Sequence, residues 1–382
     1  GQELQRKQTI QEFSVKPDVH ALDWIFKDPV MQKAIMVVFE RMPRVIARTD
    51  FKQVNLPFQT KHTDVGYKWW MNDQNIDPDT GKTYADITME VAMALHFVDL
   101  WLWNISTAFG RNQRGKGRLL IAISRVANLF FNRLEAAEIE ALKTDTGYFS
   151  GYLDDEGLKL VLMGIGIFST DNGLICENMD QAHYDYHIHP VFKALIGAMR
   201  ALRCRDALGR RLSIARGILG IKTFLVDGLS NRVVEVFGRM FSGEIDTNEG
   251  DGWVESIAGT WCLMMSDKRY LAKVEYRARN PMLVMGDDWL HMRDPSVRRE
   301  EIVDLMSKLG FEVNPDKGEF GTFFLQYRLC KLNEKYIMMY PWTRVLRSML
   351  FKEKDTQLGP FGWLLSQYQQ LYKLIENPQA LD

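Results

Sequence analysis

Gly286, Asp287 and Asp288 form a triplet set between apolar residues, with Pro281-Met282-Leu283-Val284-Met285 before it and Trp289-Leu290-His291-Met292 after it. Two neighbouring carboxylates between such flanks read as the tip of a β-hairpin, because a buried strand does not tolerate two adjacent unpaired charges. Gly286 supplies the backbone freedom a tight turn needs. A divalent cation removes the repulsion between the acids. A carboxylate pair on a rigid hairpin is therefore suited to hold Mg²⁺ for phosphoryl transfer. The triplet alone reads equally well as a solvated turn, so the rest of the chain has to decide.

A two-metal site needs an acid from a second strand. Asp180 and Asp185 are spaced DxxxxD, and the apolar Leu174-Ile175-Cys176 upstream reads as a buried strand delivering Asp180 at its end. Asp185 would sit past that end, facing the sugar of an incoming nucleotide. His189-Pro190 opens a helix, with proline at its usual place in the first turn. Ser242, Gly243 and Thr247 form SGxxxT, a small hydroxyl-bearing loop leading into a helix, which by itself is common. Lys317 lies in Asn314-Pro315-Asp316-Lys317-Gly318 and reads as a turn lysine. It is either a plain surface residue or a general acid for a leaving pyrophosphate. His183, His187 and His189 have a spacing at which zinc is conceivable, but packing or surface histidines are the preferred reading.

The elements that must position these residues follow from periodicity. Ile87, Val91, Leu95, Val98, Leu102 and Ile105 recur every three to four residues, so 85–109 reads as one long helix in which Trp101 and Trp103 pack inward. Residues 66–82 read as a loop-rich surface segment. Residues 254–275 and Glu300–Leu309 read as helices, the latter ended by Gly310. Phe311-Glu312-Val313 and Phe323-Phe324-Leu325 read as strands, and the last 50 residues as helical.

Composition narrows the class. The chain of 382 residues is 46% hydrophobic and 25% charged, an ordinary globular balance with room for two or three subdomains. No apolar run is long enough to span a membrane, and no signal-peptide pattern opens the chain. Cys176, Cys204, Cys262 and Cys330 are far apart without a CxxC pair, which argues against a zinc ribbon and for a reducing compartment. The net charge of -1 recruits no polyanion, so any such site must come from local clustering. Two basic runs stand out. One carries Arg111, Arg114, Lys116, Arg118, Arg125 and Arg133; the other, within 193–222, carries Arg200, Arg203, Arg205, Arg210, Arg211 and Arg216. Each is either a solvated helical face or one wall of a polyanion channel.

Taken in order, DxxxxD, SGxxxT, Gly-Asp-Asp, Lys317 and the strand Phe324-Leu325-Gln326-Tyr327-Arg328 resemble motifs A to E of viral RNA-directed RNA polymerases. Lys116-Gly117-Arg118, with Arg125 seven residues on, resembles their motif F. The spacing is similar too: 62 residues from Asp180 to Ser242, 45 from Ser242 to Asp287 and 29 from Asp288 to Lys317. The resemblance covers about 110–355. The stretch Tyr340-Pro341-Trp342-Thr343-Arg344 is similar to the start of the thumb in double-stranded RNA virus polymerases of the picobirnavirus and partitivirus kind.

The resemblance implies an α+β right hand with a small antiparallel palm sheet backed by helices. Fingers would span 1–170 with an insertion at 191–235, the palm 171–190 and 236–330, and the thumb 331–382. It implies template-directed RNA synthesis from NTPs at an RNA 3′-hydroxyl, with release of pyrophosphate. Asp180, Asp287 and Asp288 would be the metal ligands, for Mg²⁺ with Mn²⁺ as a substitute, and Lys317 a catalytic acid. Asp185, Lys116, Arg118, Arg125, Ser242, Gly243, Thr247 and Asn248 would contact the NTP. RNA template, nascent RNA and a viral capsid protein would be partners, in the host cytoplasm or inside the virion. One departure matters. Where many relatives have an asparagine four residues past the motif B threonine, this chain has Asp251, so either Asn248 takes that role or Asp251 points elsewhere. The rival readings are a reverse transcriptase, disfavoured by Asp185 where those enzymes place a bulky aromatic residue, a two-metal nuclease, and a catalytically silent RNA-binding relative.

Overall fold

Short strands bring distant acids together within a mainly helical architecture. The computed structural model describes residues 10–51, 69, 71–113, 116–144, 147–182, 184–227, 232–241, 247–272, 282–325, 327–332, 335–341 and scattered positions from 343 to 368; side chains within 109–120, at 122, at 271–272, within 315–317, at 332 and at 335 are outside that description. The named elements are α1 (Pro29–Arg41), α2 (Tyr84–Ala94), β1 (Ile105–Gln113), β2 (Lys116–Ile123), α3 (Arg125–Leu142), α4 (Asp155–Asp171), β3 (Ile175–Ala182), α5 (Tyr184–His187), α6 (Pro190–Arg203) and α7 (Ala207–Ile221). They continue with β4 (Lys222–Asp227), β5 (Arg232–Phe237), α8 (Thr247–Ser266), α9 (Lys268–Ala272), β6 (Met282–Met285), β7 (Asp288–Arg293), α10 (Arg299–Lys308), β8 (Glu312–Phe320), β9 (Phe323–Phe324), β10 (Tyr327–Leu332) and β11 (Lys335–Met339).

Local chemistry sets the helix starts. Asp28 accepts from the Met31 amide at 2.6 Å ahead of Pro29, and Asp154 accepts from the Gly157 amide at 2.8 Å. His189 Nδ1 accepts from the Val191 amide at 3.2 Å, so Nε2 carries the proton and donates to the Asp18 carbonyl at 3.0 Å. Both ring nitrogens of His189 are thus engaged, in keeping with a packing histidine. His183 lies outside the described residues.

One sheet has the order β6-β7-β3-β8, a second β2-β1-β4-β5 and a third β11-β10-β9. In the second, β1 runs parallel to β4, so 105–123 and 222–237 share a sheet although about 100 residues separate them. The first sheet lies against α8. A Cβ at Gly259 would stand 2.7 Å from Met282 and 3.0 Å from Trp289, so glycine is what lets the helix approach the hairpin strands this closely. Trp253, Trp261 and Trp289 are fully buried in the main core beneath this sheet. Trp24, ahead of α1, packs on Trp261 at 5.4 Å between ring centroids.

Several expectations fail here in whole or in part; the last 50 residues, read as helical, include the strand β11. The helix read over 85–109 stops at Ala94; Leu95 and His96 are extended, Phe97–Trp103 is 3₁₀, and Ile105 begins a strand. Spacing by three or four fits a 3₁₀ turn as well as an α-helix, and pairing with β2 and β4 decides the rest. Trp103 stacks on Trp69 at 5.9 Å, as an inward residue should, but Trp101 is 61% exposed. The basic runs are a solvated face only in part, because several of their described members turn inward. Arg125, Arg133, Lys193, Arg200 and Arg216 are all buried. Arg200 bridges Glu135 and Glu138, and Arg133 lies over the rings of Phe130 and Phe51 at 4.2 and 4.6 Å. Burial pushes the Arg133 guanidinium down to about 10. Arg205, Arg210 and Arg211 remain exposed.

Candidate active site

The Gly-Asp-Asp triplet is a hairpin tip. Met285 and Asp288 are the last paired residues of β6 and β7, leaving Gly286 and Asp287 as a two-residue turn. Of these two only Gly286 has a positive φ, +63°. This is the left-handed geometry that glycine adopts without steric cost. Met282 to Val284 and Trp289 to Arg293 are buried, so the hairpin is a rigid support; Asp287 projects exposed and Asp288 is half-buried.

Strand β3 lies antiparallel to β7 and places Asp180 directly opposite Asp288. Like charges facing across a ladder are destabilising unless something neutralises them. On its other side β3 pairs with β8, and the register shifts between Asn178 and Asp180, a bulge that re-aims the strand at the acid. The three acids offer hard oxygen donors of the kind Mg²⁺ prefers. Among the described residues no group of three or more His, Cys, Asp or Glu side chains converges into a cation cage. The pairing brings Asp180, Asp287 and Asp288 to one end of the sheet without forming such a cage.

Lys317 is not on a turn. It belongs to β8, in the stretch 315–318 that stands against Met179 between the pairs Asp180–Asn314 and Asn178–Glu319. The Asn-Pro-Asp-Lys-Gly composition that suggested a turn marks this bulge instead. Lys116 and Arg118 stand on β2, opposite Gln113 and Arg111 of β1. The side chains of these three basic residues lie outside the described part. Arg125 opens α3, and its Nη1 donates to Asp73 Oδ2 at 2.9 Å in a buried ion pair.

Ser242 and Gly243 lie outside the described residues. The Thr247 hydroxyl donates to the Phe241 carbonyl at 2.6 Å, tying together the two ends of the segment between them. Asn248 is exposed, and its Oδ1 is 3.7 Å from where a Cβ on Gly286 would be. Asp251 is buried, and its carbonyl accepts from the Tyr184 hydroxyl at 3.0 Å. Asn248, not Asp251, therefore stands exposed over the hairpin tip. Asp185 is half-buried, and its carbonyl accepts from the Met240 amide at 3.0 Å. Burial pushes the Tyr184 hydroxyl well above its ordinary range, with Glu255, Asp251, Asp287 and Asp185 adding to it. Asp185 and Asp287 thus share one electrostatic neighbourhood around Tyr184.

Several supporting residues escaped the sequence reading. Glu177, three residues before Asp180, accepts both Nε and Nη2 of Arg293 at 3.1 Å and lies 3.2 Å from His291 Nε2. Burial alone would raise its carboxyl, but His291 and Arg293 bring it down to about 2. This clasp ties the two strands that carry Asp180 and Asp288. Glu255 is fully buried on α8 and accepts from Gln181 Nε2, next to Asp180. Burial, with the charge of Asp287, pushes it well above the carboxylate range, opposed by Gln181. An acid within Trp253-Val254-Glu255-Ser256-Ile257 was the available signal, since an unpaired charge is rarely buried. Glu249 accepts from the Tyr152 hydroxyl at 2.6 Å.

No family model and no curated protein matches the sequence. Solved structures do match in shape. The insertion-loop deletion mutant of the RNA-dependent RNA polymerase of a human picobirnavirus superposes with a TM-score of 0.71 at 13% identity, covering 99% of this chain and 74% of that one. The RNA-dependent RNA polymerase of a human picobirnavirus gives 0.70 at 11%, covering 99% and 72%. The sicinivirus 3Dpol RNA-dependent RNA polymerase gives 0.62 at 15%, covering 91% and 81%. The chain has the α+β fold of viral RNA-dependent RNA polymerases, and it resembles the picobirnavirus enzyme over nearly its whole length.

Proposed function

We propose that this chain is an RNA-directed RNA polymerase, extending an RNA 3′-hydroxyl from NTPs on an RNA template and releasing pyrophosphate. The observation that carries the reading is Asp180 facing Asp288 across β3 and β7, with Asp287 at the adjoining turn, in a fold shared with viral RNA polymerases. Asp180, Asp287 and Asp288 would hold Mg²⁺, or Mn²⁺ in its place. Such ions, when bound, supply an activated 3′-hydroxyl and neutralise triphosphate charge.

The chain's own groups do the rest. Asp185 accepts a hydrogen bond from the ribose 2′-hydroxyl, a group that DNA precursors lack. Asn248, exposed beside the hairpin tip, would share that contact. Lys317 protonates the leaving pyrophosphate. Lys116 and Arg118, with the hydroxyl and amides of the Ser242-Gly243 segment, hold the nucleotide. Arg125 reaches a phosphate only by exchanging Asp73 for it, so Lys116 and Arg118 carry the grip. In the same reading 1–170 and 191–235 are fingers, 171–190 and 236–330 palm, and 331–382 thumb. A capsid protein is the expected viral partner, in the host cytoplasm or the virion. Asp185 disfavours a reverse transcriptase.

The test is incorporation of labelled NTPs on a homopolymeric RNA template with Mg²⁺ or Mn²⁺, with Asp287→Ala alongside. Incorporation by the native chain and loss in the variant support the reading. RNA binding without incorporation in either protein shifts it to a silent relative.

A further inference from the structure

Tyr184 immediately precedes Asp185 in α5, a helix of only four residues, too short to hold its own geometry. Its side chain is buried, beside Glu255 of α8, and two further contacts tie it to elements distant in sequence. The hydroxyl donates to the Asp251 carbonyl of α8 at 3.0 Å. The ring stacks on Phe311, which leads into β8, at 5.3 Å between centroids and 17° between planes. On the other side of Asp185, its carbonyl accepts the Met240 amide. Asp251 lies one helical turn from Asn248 on the same helix, and residues three apart share a face. The Tyr184 hydroxyl is thus a strut between the short helix bearing Asp185 and the turn of α8 bearing Asn248.

We infer that Tyr184 is a positioning residue for sugar selection, its hydroxyl setting the separation between Asp185 and Asn248 through the Asp251 carbonyl. The inference rests on the polymerase reading, and in particular on Asp185 as the 2′-hydroxyl acceptor. Tyr184 itself need not touch substrate. Loss of the hydroxyl leaves the ring and its stack in place but frees α5 from α8. The contact to the 2′-hydroxyl weakens, while a deoxynucleotide, which never makes that contact, is little affected. Such a change moves a ratio, not merely a yield.

The experiment measures kcat/KM for ATP and for dATP on a poly(U) template with the full chain, comparing native protein, Tyr184→Phe, Asp185→Ala and Phe311→Leu. Phe311→Leu loosens the same pocket without removing the hydroxyl, and melting temperatures are recorded for all four. The expected result is a ribose preference that falls sharply in Asp185→Ala. In Tyr184→Phe it falls by roughly three- to tenfold, the ordinary worth of one buried hydrogen bond, and it appears mainly in KM for ATP. Phe311→Leu keeps the native preference despite a lower melting temperature. A native preference in Tyr184→Phe beside a reduced one in Asp185→Ala overturns the inference and leaves the polymerase reading standing. An equal loss in Phe311→Leu overturns it as well, since looseness of the pocket then explains the effect. An unchanged preference in Asp185→Ala removes the sugar-sensing reading and the inference together.

Discussion

Glu249→Gln tests whether the start of α8 is held as described. Glu249 is buried in the first turn of that helix, two residues past Thr247, with Tyr152 donating to it at 2.6 Å. Burial pushes its carboxyl from an ordinary 4.5 up to about 7; Tyr152 and Arg200 oppose the rise, and Glu138 adds to it. The unfolded chain releases this proton near pH 4.5 and the native chain near 7. The native state therefore binds more protons in between, and stability falls as pH rises through that window. At ~1.4 kcal/mol per pH unit, the interval corresponds to roughly 3 kcal/mol by pH 8.5. Glutamine cannot ionise, yet its amide oxygen still accepts from Tyr152. The variant should match the native melting temperature at pH 5 and exceed it at pH 8.5. With an unfolding entropy of about 2.1 cal/mol/K per residue, the gain is roughly 3–4 °C if the chain unfolds cooperatively. Differential scanning calorimetry from pH 5 to 8.5 reads it directly. An identical pH slope in both proteins, or a lower melting temperature for the variant at both extremes, would refute the reasoning.

Other perturbations follow from the same structure. Arg293→Met strands Glu177 as a buried, uncompensated charge and should cost about 3–5 kcal/mol in urea unfolding, with Glu177→Gln in the same background recovering much of it. Arg125→Ala and Asp73→Asn should each lower stability and shift KM for NTPs little; a rise in KM at unchanged melting temperature for Arg125→Ala would restore that residue to the phosphate grip. Gly259→Val forces a side chain into Met282 and Trp289 and should cost about 1–3 kcal/mol or more, lowering the urea midpoint and also the polymerisation rate, because the displaced strands carry the hairpin.

The hairpin, β3, the proline-opened helix α6 and the glycine-ended α10 were legible because each is encoded within a few neighbouring residues: a turn glycine between apolar strands, an apolar run before an acid, a cap before a periodic stretch. The destination of the charges was not. Arg125 and Asp73 are 52 residues apart and Arg200 and Glu138 are 62 apart, so a basic run gives no sign that its members turn inward to meet distant acids. The same holds for Glu177, whose partners sit across a strand pair more than 100 residues away. The break after Ala94 was hidden because 3₁₀ and α spacing overlap over a few turns. Lys317 was misplaced because proline and glycine mark bulges as readily as turns. At the site itself, the exposure of Asn248 and the burial of Asp251 could be seen only once the path of α8 past the hairpin was known.

The most direct measurement is extension of a short RNA primer on an RNA template of mixed sequence, with the product sequenced, for the native chain and for Asp287→Asn. A product complementary to the template, dependent on divalent metal and lost in the variant, is what a centre built from Asp180, Asp287 and Asp288 requires. Untemplated addition, or equal synthesis by Asp287→Asn, would contradict it.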